Sequence, residues 1–124
     1  MGGKLGGRIV GGPVLLLTTT GRKSGKKRTS PLLYLEDGQD LVLVASNGGA
    51  PVHPAWWHNL RAYPEAIVEI GRRKLWVRAE KASPEEKERL WPRLVSMYSG
   101  YEAYRHRTDR EIPVVILRLI EEKA

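Results

Sequence analysis

The sequence predicts a β-rich α+β fold, a small antiparallel barrel of about six strands with helices packed on it. Three observations predict it: short β-branched and leucine runs recur along the chain, turn dipeptides join them in pairs, and no regular strand-helix alternation signals a parallel sheet. The 124 residues suffice for one core, so one domain is expected over residues 13–124 behind a glycine-rich lead-in at residues 1–12.

The elements follow in order. Pro13 to Thr20 reads as a strand, and Ser30 to Glu36 as the next. Asp37-Gly38 is a turn signal, which makes Pro31 to Glu36 and Leu41 to Ser46 a hairpin. Ser46-Asn47-Gly48-Gly49 ends that strand, and Pro54 opens a helix that Pro64 stops. Ala66 to Ile70 and Lys74 to Ala82 flank Gly71-Arg72-Arg73 as a second hairpin. Ser83-Pro84-Glu85-Glu86 supplies an N-cap, a proline at the first helical position and a capping carboxylate. Leu90, Trp91, Leu94, Val95 and Tyr98 then form one apolar stripe, a tyrosine-rich segment follows, and Ile112 to Ile120 closes the chain as a strand.

Composition narrows the function. There is no cysteine, so disulfides, thiolate metal sites and a nucleophilic thiol are excluded. Nothing reads as a secretory signal or a spanning helix, and a soluble cytoplasmic protein without stable membrane insertion is expected. The formal charge of +7 fits nucleic acid, an anionic surface or an acidic small molecule. The dense part of that charge is Arg22, Lys23, Lys26, Lys27 and Arg28, in a loop with Gly21, Ser24 and Gly25 between two strands. Glycines let backbone N–H groups turn toward a ligand, and the cations neutralise a phosphate or carboxylate. Neither the P-loop spacing nor Gly-x-Gly-x-x-Gly is present.

Two further constellations stand out. Ala45-Ser46-Asn47-Gly48-Gly49 lies at a strand exit and precedes a helix with Trp56, Trp57 and Asn59. Adjacent tryptophans cannot face one way, so one of them is free to line a pocket for an aromatic ligand. Tyr98, Tyr101 and Tyr104 recur every third residue, a spacing that puts three phenols on one helix face, either as packing or as contacts to an aromatic substrate. His53 and His58 are five apart with no carboxylate to join them, so no metal site is expected.

The ordered set Leu16 to Gly25, Arg28, Pro31-Leu32, Ala45 to Gly49, Pro54-Ala55-Trp56 with Asn59-Leu60, Trp91 to Leu94, Met97-Tyr98, Tyr101, Tyr104 and Thr108-Asp109-Arg110 before Ile112-Pro113 resembles the deazaflavin-dependent nitroreductase family. The resemblance implies a split β-barrel, like those that bind flavin mononucleotide, with coenzyme F-420 as cofactor. It also implies hydride transfer from the reduced deazaflavin to a quinone, nitroaromatic or other activated acceptor. By that resemblance Arg22, Lys23, Ser24 and Arg28 take the phosphate, while Ala45, Ser46, Asn47, Gly48, Gly49, Ala55, Trp56, Trp57, Asn59 and Tyr101 enclose the ring. Ser46 and Tyr101 are the expected catalytic residues; Tyr98, Tyr101, Tyr104 and Leu33 are the expected acceptor wall. Asn47 and Leu33 stand where well-known members carry lysine and tyrosine. A deazaflavin carrier without turnover, a relative using flavin mononucleotide or haem, and a nucleic-acid-binding barrel are the competing readings. The small-molecule reading, without nucleic acid, is preferred because the aromatic residues sit in helical segments.

Overall fold

The computed structural model describes residues 8–9 and 12–123. Most of the expected lead-in, residues 1–7 and 10–11, lies outside the described residues. Its remaining part is β1 (Arg8–Ile9), which pairs antiparallel with the start of β2 (Gly12–Thr20). The chain continues as β3 (Lys27–Leu33), β4 (Leu35–Asp37), β5 (Asp40–Val44), a single 3-10 turn at Asn47–Gly49, α1 (Ala55–Ala62), β6 (Glu65–Ile70) and β7 (Arg73–Lys81). It ends with α2 (Pro84–Met97), α3 (Gly100–Arg107) and β8 (Val114–Lys123).

All described strands join one sheet, ordered β1-β2-β6-β7-β8-β5-β4, with β3 on the other side of β2. Every pairing is antiparallel. The sheet curls into a split barrel, as the resemblance implies, with eight described strands where about six are expected. One expected strand divides: the run from Ser30 to Glu36 breaks at Tyr34, so β3 pairs with β2 while β4 turns away to pair with β5. A run of strand-forming side chains does not encode which neighbour each half will take. The hairpin turn at Gly38 survives, with φ +66, and closes only Leu35–Asp37 onto Asp40–Val42.

The core has two parts because β5 and β8 are buried on both faces. Leu41, Leu43, Val115 and Leu117 face the barrel interior with Leu15, Leu17, Val68 and Val77, and α1 plugs that interior with Trp56, Trp57 and Leu60. Val42, Val44, Val114 and Ile116 face outward beneath Leu90 and Leu94 of α2 and Tyr101 of α3. Two-sided burial explains why both strands read as continuous apolar runs rather than alternating ones. The predicted capping box is present: Ser83 Oγ accepts from the Glu86 N–H at 3.1 Å, and the Glu86 carboxylate accepts from the Ser83 N–H at 2.9 Å. Asp37 fastens the β4–β5 hairpin to α2 by accepting from Arg89 and Arg93 at 3.0 and 2.9 Å.

Candidate active site

The β2–β3 connection folds into a tight basic loop. The Gly21 N–H donates to the Lys26 carbonyl and the Gly25 N–H to the Gly21 carbonyl, each at 2.8 Å. Gly25 sits at φ +71, in the left-handed region, and a Cβ on Gly21 would lie 2.8 Å from Ser24 Oγ. The loop is anchored to α1 by Asn59, whose Oδ1 accepts from the Arg22 N–H at 3.0 Å and whose Nδ2 donates to Thr19 Oγ1 at 3.1 Å. Both anchoring side chains are buried.

None of Arg22, Lys23, Lys26, Lys27 and Arg28 pairs with a carboxylate among the described residues; the ion pairs there lie elsewhere. Four of these cations, Arg22, Lys23, Lys27 and Arg28, line a cleft of about 640 Å³ with Thr19, Ala55, Trp56 and Asn59. A cluster of like charges without counter-ions is unfavourable by itself and is suited to a multiply charged anion.

A second cleft of about 460 Å³ adjoins the first, sharing Ser30 and Trp56 with it. The two clefts thus lie side by side about Trp56, as the two lobes of a bent groove. The far lobe is walled by Leu33, the strand-end residues Ser46 to Gly48, and the three tyrosines. One lobe is cationic and the other is aromatic with hydroxyl groups.

The tyrosines cluster, though not on one helix face as their spacing suggests. Tyr98 caps the end of α2, and Tyr101 and Tyr104 belong to α3, with Ser99 between the two helices. A Cβ on Gly100 would lie 2.6 Å from the Tyr98 ring, so only glycine lets α3 start this close. The Tyr98 and Tyr101 rings meet edge-on at 5.0 Å, and the Tyr98 and Tyr104 hydroxyls hydrogen-bond at 2.8 Å. Tyr101 is buried, and that burial pushes its phenol well above the usual tyrosine value, so it stays protonated and can donate. Neither the Tyr101 hydroxyl nor Ser46 Oγ has a hydrogen-bond partner among the described residues. No buried side-chain oxygen there is left unsatisfied, so both open onto the groove.

Some expected contacts fall differently. Trp56 lines both lobes, whereas Trp57 packs in the barrel core away from the groove. Ala45 is fully buried, and Gly49 sits at φ +81, where a Cβ would lie 3.1 Å from the Arg107 side chain and from the Tyr104 carbonyl. Asn47 and Gly48 line the groove; the Asn47 amide donates to the Val52 carbonyl at 3.1 Å. Asn59 lines the basic lobe, and its carboxamide is already engaged with the loop it positions. His53 and His58 meet edge-on at 5.6 Å, and burial lowers the pKa of both.

Sequence reasoning assigned no role to Arg110, which lies beside the groove rather than in it. It donates to the carbonyls of Ser46 at 2.8 Å, Ala50 at 2.9 Å and Ala45 at 3.3 Å. Its place in the Thr108-Asp109-Arg110 motif was the available signal.

Comparison with known proteins shows the family. Residues 1–118 match the family model described as F420H(2)-dependent quinone reductase. The F420H(2)-dependent quinone reductase Rv1261c of Mycobacterium tuberculosis (strain ATCC 25618 / H37Rv) is 42% identical over 120 residues, covering 93% of this chain and 80% of the relative. A solved F420-H2 dependent reductase (FDR-A) superposes with a TM-score of 0.78 at 43% identity, covering 86% of this chain and 94% of that one. A heme binding protein from Mycobacterium smegmatis, 20% identical with a TM-score of 0.70 over 88% of this chain and 47% of its own, shares the fold. With the family model spanning nearly the whole chain and a relative at 42% identity across most of both proteins, the chain belongs to the F420H(2)-dependent quinone reductase family.

Proposed function

We propose that this protein reduces quinones with reduced coenzyme F-420, held along the bent groove with its phosphate at the basic loop and its ring in the aromatic lobe. The observation that carries the reading is that a cationic lobe without counter-ions among the described residues adjoins a lobe of aromatic rings and open hydroxyls, with Ser30 and Trp56 common to both. That donor set fits a ligand anionic at one end and flat at the other. Arg22, Lys23 and Arg28 would hold the phosphate, Ser24 closes the turn by accepting from the Lys26 N–H at 3.1 Å, and Trp56 would flank the ring. When bound, the reduced deazaflavin supplies a hydride from C5.

The protein's own contribution is placement and hydrogen bonding. A quinone that accepts a hydride gains a negative charge on oxygen and needs one proton to become the hydroquinone. The Ser46 and Tyr101 hydroxyls are positioned to donate to that oxygen, and such preorganised donors act most strongly in a site shielded from water. Tyr101, kept protonated by burial, would donate a hydrogen bond to that oxygen, and the proton that completes the hydroquinone would come from solvent. Leu33, Tyr98 and Tyr104 complete the acceptor wall.

The test is a fluorescence titration with oxidised coenzyme F-420 beside flavin mononucleotide, followed by oxidation of reduced F-420 with menadione. Selective deazaflavin binding with turnover is the expected result. Binding without turnover would make the protein a carrier, and absence of binding would remove the assignment.

A further inference from the structure

The segment that brings Ser46, Asn47 and Gly48 to the groove is fastened from behind chiefly by Arg110, with Arg107 adding a longer bond of 3.4 Å to the Gly48 carbonyl. Arg110, between α3 and β8, reaches Ser46 O through Nη2 and Ala50 O through Nε, while its Nη1 faces Ala45 O, Glu111 O and His53 Nδ1. No carboxylate neutralises it among the described residues: the neighbouring Glu111 gives its carboxylate to Lys81 at 2.7 Å. A guanidinium in a partly desolvated place is thus satisfied by backbone carbonyls and one imidazole. Bonded through all three of its nitrogens, it fixes the path of residues 45–50.

The imidazole makes this clamp sensitive to protons. A guanidinium only donates, so at 3.0 Å His53 Nδ1 is the acceptor and the ring proton sits on Nε2. Protonating His53 would set N–H against N–H and cation against cation. Arg110, His58 and Arg61 of α1, and Lys81 of β7 all face His53 with positive or neutral groups, and Glu111 is the nearby carboxylate. Burial and these cations hold His53 neutral below the ordinary histidine range.

We infer that Arg110 is a positioning residue for quinone reduction, setting the Ser46 hydroxyl through the Ala45, Ser46 and Ala50 carbonyls, and that neutral His53 completes the clamp. The inference rests on the reading that the groove is the site of reduction. Arg110 lines neither lobe, so its removal acts through Ser46 rather than through direct contact with cofactor or quinone.

The experiment compares Arg110→Met, Arg110→Lys and His53→Asn with the wild type in two assays. In steady-state turnover with reduced F-420 and menadione, Arg110→Met is expected to lower kcat about tenfold or more while the F-420 dissociation constant stays within about threefold. Arg110→Lys, which keeps the charge but cannot span the acceptors, recovers only part of kcat. The wild-type profile falls on the acid side below the ordinary histidine range, and His53→Asn abolishes that fall. In the free protein, nitrogen-15 shifts of His53 report the Nε2–H tautomer and a depressed pKa, which Arg110→Met returns toward the ordinary value. Wild-type kcat in Arg110→Met, equal losses of kcat and F-420 affinity, or an unchanged acid limb in His53→Asn overturns the inference. The tautomer measurement needs no cofactor, so a wild type without turnover counts against the proposed function, while an Nδ1–H tautomer counts against the clamp.

Discussion

Removing charge from the basic loop should weaken cofactor binding without touching the fold, and the structure sets the size of the effect. Lys23 and Arg28 line the cationic lobe, and neither side chain makes an ion pair or hydrogen bond among the described residues. Their replacement by alanine therefore removes nothing that stabilises the native state, and the melting temperature should stay within about a degree or two. Toward a bound phosphate, a charge-assisted hydrogen bond is worth ~1.5–3 kcal/mol, and an exposed ion pair ~0.2–1 kcal/mol. Both residues are exposed, which argues for the lower part of these ranges. Arg28, with its planar fork, should contribute about 1.5 kcal/mol and Lys23 about 1 kcal/mol, or roughly tenfold and fivefold in dissociation constant. The two losses taken together give about fiftyfold weaker F-420 binding for Lys23→Ala/Arg28→Ala, and coupling through the shared phosphate moves the double variant away from the simple product. The assay is a fluorescence titration at low and high salt, run in parallel with the deazaflavin chromophore lacking phosphate and glutamates. That fragment should bind both proteins alike. Affinity for F-420 within twofold of wild type, or an equal loss for the fragment, would refute the phosphate assignment.

Three further predictions test other links. Asn59→Ala removes both anchors of the loop and leaves the buried Thr19 hydroxyl short of its partner, so it should cost about 1–3 kcal/mol in chemical denaturation and weaken F-420 binding as well. Tyr101→Phe should lower kcat for menadione about tenfold with an unchanged F-420 dissociation constant, and an unchanged kcat would remove the hydroxyl from the reaction. Asp37 is held by Arg89 and Arg93 at about 2, below its ordinary 3.8, so its stabilisation is present above pH 3.8 and is lost as the pH falls toward 2. With both arginines half exposed the contribution is about 1 kcal/mol, and Asp37→Asn should flatten acid unfolding in that window.

What the sequence discloses depends on whether the information is local. The Ser83 capping box and the glycine turns at Gly38 and Gly71 depend on a few adjacent residues, and each is found where the sequence places it. The division of one strand-forming run at Tyr34 depends on two distant partners, β2 and β5, and nothing within the run names them. The same contrast governs the site. Arg22 to Arg28 is legible because charge without nearby carboxylates is a matter of residue type. Arg110 is not, because its partners are mostly backbone carbonyls, which every residue carries. Asn59 shows a second side of this contrast: a carboxamide near the groove invites a ligand contact, while the bonds of its oxygen and nitrogen to Arg22 and Thr19 link distant segments that the sequence does not name.

The clamp and the core are linked by one strand register. β5 pairs with β8 so that Val44 faces Val114, and the Ala45 N–H donates to the Pro113 carbonyl at 2.9 Å. Extending that pairing past the strand ends brings residues 45–46 alongside the segment just before β8, which is where Arg110 meets them. A slip of one residue would exchange the two faces of β5, moving Leu41 and Leu43 outward and Val42 and Val44 inward. Both faces are already packed, the inner against β2 and α1 and the outer against α2 and α3, so a slip disrupts two cores at once. The position of Ser46 relative to Tyr101 is therefore tied to the best-buried pair of strands rather than to loop preference. Tyr101 itself belongs to the outer core, which fixes the second hydroxyl to the same frame. In the proposed reaction, two donors held this way would lose little freedom as charge develops on an acceptor between them, which is the condition for electrostatic preorganisation.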